Sequence, residues 1–230
     1  HQTQDVTALG DAKILFRYSG FLSDNSVGLL YGVKLPTGST TTTFNGGAAL
    51  DRGLQPGSGS TDVIVGAYIA GAIQKFSLFA RGLFQHAVFT TGDFRPGDTF
   101  VAILGVRYGS FGQMIAPMLQ LNISSTRPDS GNNSQTNQTS GACADYKCLI
   151  AVNAVSADLQ TFDGGRTLRT DVYGNPLSGN QTVYVAPGLM ARLGEGTILF
   201  GFYQLAVYKK VNSLQLTPKD AITFGVRQYF

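Results

Sequence analysis

Lys13, Arg17, Lys34, Arg107, Arg192 and Arg227 all fall on one phase of a period-two pattern, and that restriction narrows the available folds more than any other feature. Stretches of about ten residues alternate apolar and polar side chains, as a strand does when successive residues point to opposite faces. Ala12, Ile14, Phe16 and Tyr18 form one face of the first stretch and leave Lys13 and Arg17 on the other. Val27, Leu29, Tyr31, Val33 and Leu35 set Lys34 opposite, and Phe100, Ala102, Leu104, Val106 and Tyr108 do the same for Arg107. Val183, Val185, Pro187, Leu189 and Ala191 place Arg192, and Ile222, Phe224 and Val226 place Arg227. One face of the implied sheet is apolar throughout and the other carries the cations.

A soluble barrel would turn the apolar face inward. A transmembrane barrel would turn it outward to lipid and keep the cations in a polar interior. Composition favours the second. Only 13% of residues are charged, there are 29 Gly, and the 10 Tyr and 15 Phe cluster near segment ends, as interfacial girdles would. The chain ends in Phe230, on the apolar phase of an alternating run from Ala221. Outer-membrane barrels commonly end in such an aromatic, which the assembly machinery reads. The expected fold is therefore all-β, an antiparallel transmembrane β-barrel forming one domain over residues 1–230.

Other classes find little support. No apolar run approaches the roughly 18 residues of a membrane helix, whereas barrel strands span with about 9–11. The polar opening His1-Gln-Thr-Gln-Asp is no signal peptide, and export would have removed one. A net charge of +3, with no basic cluster interleaved with aromatics, gives no case for nucleic acid. Cys143 and Cys148 sit in an Asn/Ser/Thr/Gly-rich segment away from both histidines. They cannot complete a structural zinc site, so a local disulfide on a loop is the expectation, with free thiols as the alternative.

Nine strands are expected, over about 10–19, 26–36, 62–72, 75–89, 99–109, 113–125, 183–193, 197–209 and 221–230. Their connections alternate short and long. Short turns belong to the periplasmic side and long loops, above all 126–182, to the outside. Strand 10–19 then runs inward, so residue 1 would start outside. A single-chain bacterial barrel needs an even strand number with both ends periplasmic, so at least one N-terminal strand is expected to be missing. A hairpin hidden within 126–182, for instance 149–157 with 166–173, would leave the parity odd.

Five motifs occur in order: Leu9-Gly10-Asp11-Ala12, Gly32-Val33-Lys34-Leu35-Pro36-Thr37-Gly38, Leu54-Gln55-Pro56-Gly57-Ser58-Gly59-Ser60-Thr61-Asp62, Tyr184-Val185-Ala186-Pro187-Gly188-Leu189, and Gly225-Val226-Arg227-Gln228-Tyr229-Phe230. On these the chain resembles the phenol-degradation meta-pathway family of outer-membrane transporters. The resemblance implies a barrel of about twelve strands, of which this chain holds the last nine. Read physically, Pro36 ends a strand because it lacks an N–H, Thr37-Gly38 turns, and Pro56-Gly57 with Gly59 makes a second rim turn.

Catalysis has little to build on. His86 falls on the apolar phase, where an interfacial aromatic-like role suits it better than proton transfer, and a copper site with His1 would need a true mature terminus. Gly57-Ser58-Gly59-Ser60 is a turn and not a phosphate loop preceding a helix. No cofactor or metal is expected. The functional candidates are the inward residues Lys13, Arg17, Lys34, Arg81, Gln85, Arg107, Gln120, Asn122, Arg192 and Arg227, against inward acids Asp11 and Asp62. Rings of Arg and Lys favour anions in a pore, although charge on a water-filled interior is also ordinary solvation. The expectation is a bacterial outer-membrane channel for small solutes, anionic or aromatic. Its partners would be membrane lipid, the solute, the assembly machinery through Phe230, and, in a complex, a second copy or another subunit. The alternative is a barrel that scaffolds periplasmic or surface partners.

Overall fold

The computed structural model describes residues 8–24, 26–43, 55–92, 94–109, 114–130, 161–162, 166–167, 178–194, 196–212 and 220–228. The described chain is all-β. Its strands are β1 (Ala12–Tyr18), β2 (Val27–Leu35), β3 (Ser60–Ile73), β4 (Phe76–Thr90), β5 (Thr99–Tyr108), β6 (Ile115–Thr126), β7 (Thr161–Phe162), β8 (Arg166–Thr167), β9 (Asn180–Leu193), β10 (Thr197–Val211) and β11 (Ala221–Gln228). Nine of them form one sheet in the order β1-β2-β3-β4-β5-β6-β9-β10-β11, every pair antiparallel. Among the described residues, β7 and β8 pair with each other in a separate two-stranded sheet. The remainder of the 149–157/166–173 hairpin lies outside the described residues.

The expected strands all form, with shifted ends. β3 begins at Ser60 and β9 at Asn180, earlier than apolar alternation indicated. Ser60-Thr61 and Asn180-Gln181-Thr182 are polar on both phases, so their pairing lies beyond the apolar band that made the alternation visible. β1 and β11 are shorter than expected, and Tyr229 and Phe230 lie outside the described residues. A two-residue turn, Gln74-Lys75, joins β3 to β4, with Gln74 in the left-handed region at φ 53°. Register slips once between Thr61 and Asp62 on β3 and once between Ala206 and Tyr208 on β10. Such bulges bend a strand and increase its twist.

The sheet curls into half a barrel, and the register shows which face is concave. Lys13 Nζ on β1 reaches Gln85 Oε1 on β4 at 3.1 Å, across two intervening strands. Only side chains pointing into the curl can do so. Lys13 pairs with Lys34, Lys34 with Asp62, and Ile64 with Gln85, so the polar phase of every strand is the inner one. The curl extends to the far edge, where Arg227 on β11 lies within electrostatic reach of Arg81 on β4.

Burial follows the same division. Ile64, Ala87, Ala116, Ala186 and Phe202 are buried on the concave phase, as are Lys34, Asp62 and Thr182. The apolar convex face stays open: Leu29, Val63, Val65, Ile69, Leu78, Leu104, Leu119, Leu189, Phe224 and Val226 are all exposed. Exposed apolar patches beyond a few hundred Å² are unusual on soluble monomers. A shallow groove of about 620 Å³, with Ile69, Leu78, Leu104, Leu119, Leu121 and Val185 along it, crosses this convex face. Tyr18, Phe76 and Tyr108 end their strands on the short-turn side, with Phe76 and Tyr108 in contact at 5.3 Å between centroids.

Side chains on the inside of a curl converge, and glycine relieves the crowding. Four concave aromatic rings lie over a glycine of the neighbouring strand: Tyr68 over Gly28, Phe79 over Gly105, Phe202 over Gly188 and Phe200 over Gly225. A Cβ at Gly105 would come within 2.2 Å of the Phe79 ring, and one at Gly28 within 2.4 Å of Tyr68. Each ring covers backbone that its glycine leaves bare, a pairing that stabilises glycine in sheets.

Candidate functional site

Two groups of polar side chains occupy the concave side: a buried cluster at the long-loop rim and a field of cations below it. The rim cluster is assembled from three separate segments. Asp11 precedes β1, Lys34 lies near the end of β2, and Ser58, Ser60 and Asp62 lie at or near the start of β3. Lys34 Nζ is 2.7 Å from Asp62 Oδ2 and 3.4 Å from Asp11 Oδ2, with side chains 5%, 2% and 8% exposed in that order. Lys34 also donates to Ser60 Oγ at 3.0 Å and to Ser58 Oγ. Ser58 Oγ donates to Asp11 Oδ2 at 2.5 Å, Ser60 Oγ donates to Asp62 Oδ1 at 2.6 Å, and Gln85 Nε2 donates to Asp62 Oδ2.

Backbone groups lock the same three segments together. Gly38 N–H and Ser58 N–H both donate to Asp11, at 3.0 and 2.9 Å. Thr37 Oγ1 accepts from Ala12 N–H at 2.8 Å and donates to Gly10 O at 3.2 Å. Gly57 N–H donates to Ser39 O, and a Cβ on Gly57 would meet Gly38 O at 2.1 Å, so a side chain there would separate the two turns. The Gly-Asp, Lys-Leu-Pro-Thr-Gly and Gln-Pro-Gly-Ser-Gly motifs therefore form one rim structure. Burial acts to raise the Asp11 pKa, but hydrogen bonds from Ser58 and Gly38 and the Lys34 charge outweigh it and hold the carboxyl below the usual carboxylate range.

Asp11 lies outside the strands, and its lowered pKa has a definite sign in the stability. A carboxylate depressed in the fold contributes stability above its unfolded value, and loses it as pH falls through the folded one. Asp11→Asn is expected to cost about 1–3 kcal/mol at neutral pH and much less once pH drops well below about 4. Urea unfolding of the reconstituted protein across that range checks this. An equal loss at both ends would mean that the carboxylate's charge is irrelevant.

The structure corrects the sequence reading of Lys34. It is not a cation open to solute but the buried centre of two carboxylates, and it consumes both expected inward acids. Gln85 belongs to the same network, bridging Asp62 and Lys13. The other candidates share the concave phase below the rim. Arg17 sits over the Tyr68 ring, 4.0 Å from its centroid. Tyr68 pairs with Arg81 across β3 and β4, and the same row continues through Ile103 and Asn122 to Tyr184. Asn122 Nδ2 donates to Gln204 Oε1 at 3.5 Å, while its Oδ1 is buried with no hydrogen-bond partner among the described residues. Arg107 donates to Ser77 Oγ at 2.9 Å and approaches Met190 Sδ at 3.8 Å. Gln120 pairs with Gly105 and Ala186, and Arg192 and Arg227 flank Ile198 at the short-turn end. Below the rim cluster, the described concave face carries no Asp or Glu.

His86 is better connected than its phase suggested. It stacks on Phe84 and sits between Asp98 Oδ1, 2.6 Å from Nδ1, and Arg95 Nη2, 2.7 Å from Nε2. Arg127 completes the chain at 3.5 Å from Asp98. With a guanidinium on Nε2, that nitrogen must accept, so Nδ1–H donates to Asp98 and Nε2 is closed to a nucleophile. His1, Cys143 and Cys148 lie outside the described residues. Among the described residues no group of His, Cys, Asp and Glu could hold a metal, and no helix is long and apolar enough to cross a membrane. Comparison with protein-family models finds no match, and comparison with curated protein sequences finds none.

Proposed function

We propose that the chain forms much of the wall of a bacterial outer-membrane β-barrel, of the type found in the phenol-degradation meta-pathway transporter family, and that the barrel passes small anionic or aromatic solutes by diffusion. The observation that carries this reading is the inversion of the sheet: an exposed apolar convex face and a polar, cationic concave one. In a bilayer that arrangement costs nothing on either side, because lipid covers the first and water fills the second. The two edges, β1 and β11, do not pair with each other among the described residues. Bare edges are poorly tolerated, and further strands, bringing the total to about twelve, would close them. In this reading the long-loop rim faces outward and the assembly machinery engages Phe230.

Selectivity follows from charge. With Asp11 and Asp62 bound to Lys34, the concave field is set by Lys13, Arg17, Arg81, Arg107, Arg192 and Arg227. Salt screens such fields over roughly 8–10 Å. The pore is expected to prefer anions at low salt and to lose that preference as salt rises. Replacing Arg107 and Arg192 together by Gln should weaken the preference while the barrel still folds, since interior substitutions tune selectivity. Reversal potentials across planar bilayers in a KCl gradient measure both effects, and cation selectivity in the intact protein would refute the reading.

A further inference from the structure

We infer that Arg17, Tyr68, Arg81 and Phe79 form a binding station for a small organic monocarboxylate with an apolar body. The inference rests on the proposed pore, because it needs the concave face to meet solute.

The station begins with how the ring of Tyr68 is held. The ring lies over Gly28, and Arg17 packs on it with the guanidinium carbon 4.0 Å from the ring centroid. Stacking uses the flat face of a guanidinium and leaves its in-plane N–H donors for another partner. Arg81 is the cross-strand partner of Tyr68 on the β4 side, on the same concave face. Neither Arg17 nor Arg81 makes a hydrogen bond or ion pair to another described residue. Arg227 adds a third positive charge within electrostatic reach of Arg81. Guanidiniums gathered on a wall whose acids are bound elsewhere call for an oxyanion, and two planar forks suit a carboxylate.

The apolar part of the ligand has its own surface. Phe79 is two residues from Arg81 on the same strand and face, about 6.5–7 Å along it. Its ring lies over Gly105 of the neighbouring strand, on the concave face. A carboxylate held at Arg81 would lay a short hydrocarbon body along that ring. Inorganic anions would have the charge but nothing to place there.

Chloride current through the full-length protein in planar bilayers, measured at constant ionic strength, provides the test, with hexanoate, acetate and hexanamide as probes. Hexanoate should block saturably, acetate at a several-fold higher concentration, and hexanamide not at all. Arg81→Gln should raise the half-blocking concentration of hexanoate about tenfold, the effect of losing one charge-assisted contact. Arg81→Lys should recover only part of that, because it keeps the charge and loses the fork. Phe79→Ala should bring hexanoate down to the level of acetate and leave acetate unchanged. Equal block by hexanamide, or block unaltered in both Arg17→Gln and Arg81→Gln, would overturn the station while leaving an anion-selective pore intact. Were no chloride current seen at all, the pore reading would fail on its own. Saturation-transfer NMR of hexanoate on the protein in nanodiscs would then decide the station: transfer lost in Arg81→Gln supports it, and transfer absent or independent of Arg81 removes it.

Discussion

Lys34→Met is expected to cost about 3–5 kcal/mol of unfolding free energy, the range for removing one partner of a buried ion pair. The size comes from what would remain. Asp62 would keep its place with a side chain 2% exposed, and Asp11 with one 8% exposed, both stripped of their shared counter-ion. Hydrogen bonds from Ser58, Ser60, Gln85 and the Gly38 and Ser58 amides would still reach them. The network would then hold two carboxylates with no buried cation between them. Unfolding midpoints in urea, followed by tyrosine fluorescence or by the shift in gel mobility that folded barrels show, measure the loss. Asp62→Asn in the same background separates the pair from the rest. If Lys34 acts through Asp62, the double variant should lose clearly less than the sum of the two single losses. Strict additivity would show that Lys34 acts through Asp11 and its hydroxyl partners and not through Asp62.

The fold was legible because a strand reports its two faces in a period of two. Lys13, Lys34, Arg107 and Arg192 each fall opposite an apolar row, which marks β1, β2, β5 and β9 irrespective of which face is inside. What periodicity could not reveal was partners. Lys34 and Asp62 both read as inward, and they face each other in the β2–β3 register. That register depends on the connection 36–59, whose sequence contains no alternation. Asp11 and Ser58 lie outside strands and came together only through the interlocking of Gly38 with Gly57. The polar partners of His86 went unseen for a similar reason: Arg95 and Asp98 sit in the loop after β4, where phase carries no information. The aromatic-over-glycine pairs were visible in principle, since Tyr68 and Gly28, or Phe79 and Gly105, are both inward residues on neighbouring strands. Recognising them required the register.

Leu104→Arg is the substitution that most directly asks what covers the convex face. Leu104 lies in mid-strand on β5, flanked on the same face by Ala80 on β4 and Leu121 on β6, and it is exposed in the isolated chain. An exposed leucine on a soluble protein can become arginine at almost no cost, usually within about 0.5 kcal/mol. The same position at the middle of a lipid-covered band should cost about 2–4 kcal/mol, falling toward zero near the interfaces. Phe76→Arg, at the short-turn end of β4, supplies the interfacial comparison. Folding of each variant into liposomes, titrated with urea, should show a large loss for Leu104→Arg and a small one for Phe76→Arg. That depth dependence belongs to a bilayer and to no aqueous environment. Equal, small effects at both positions would mean that the apolar face is covered by something other than lipid, and the cationic concave face would then need a different explanation from a pore.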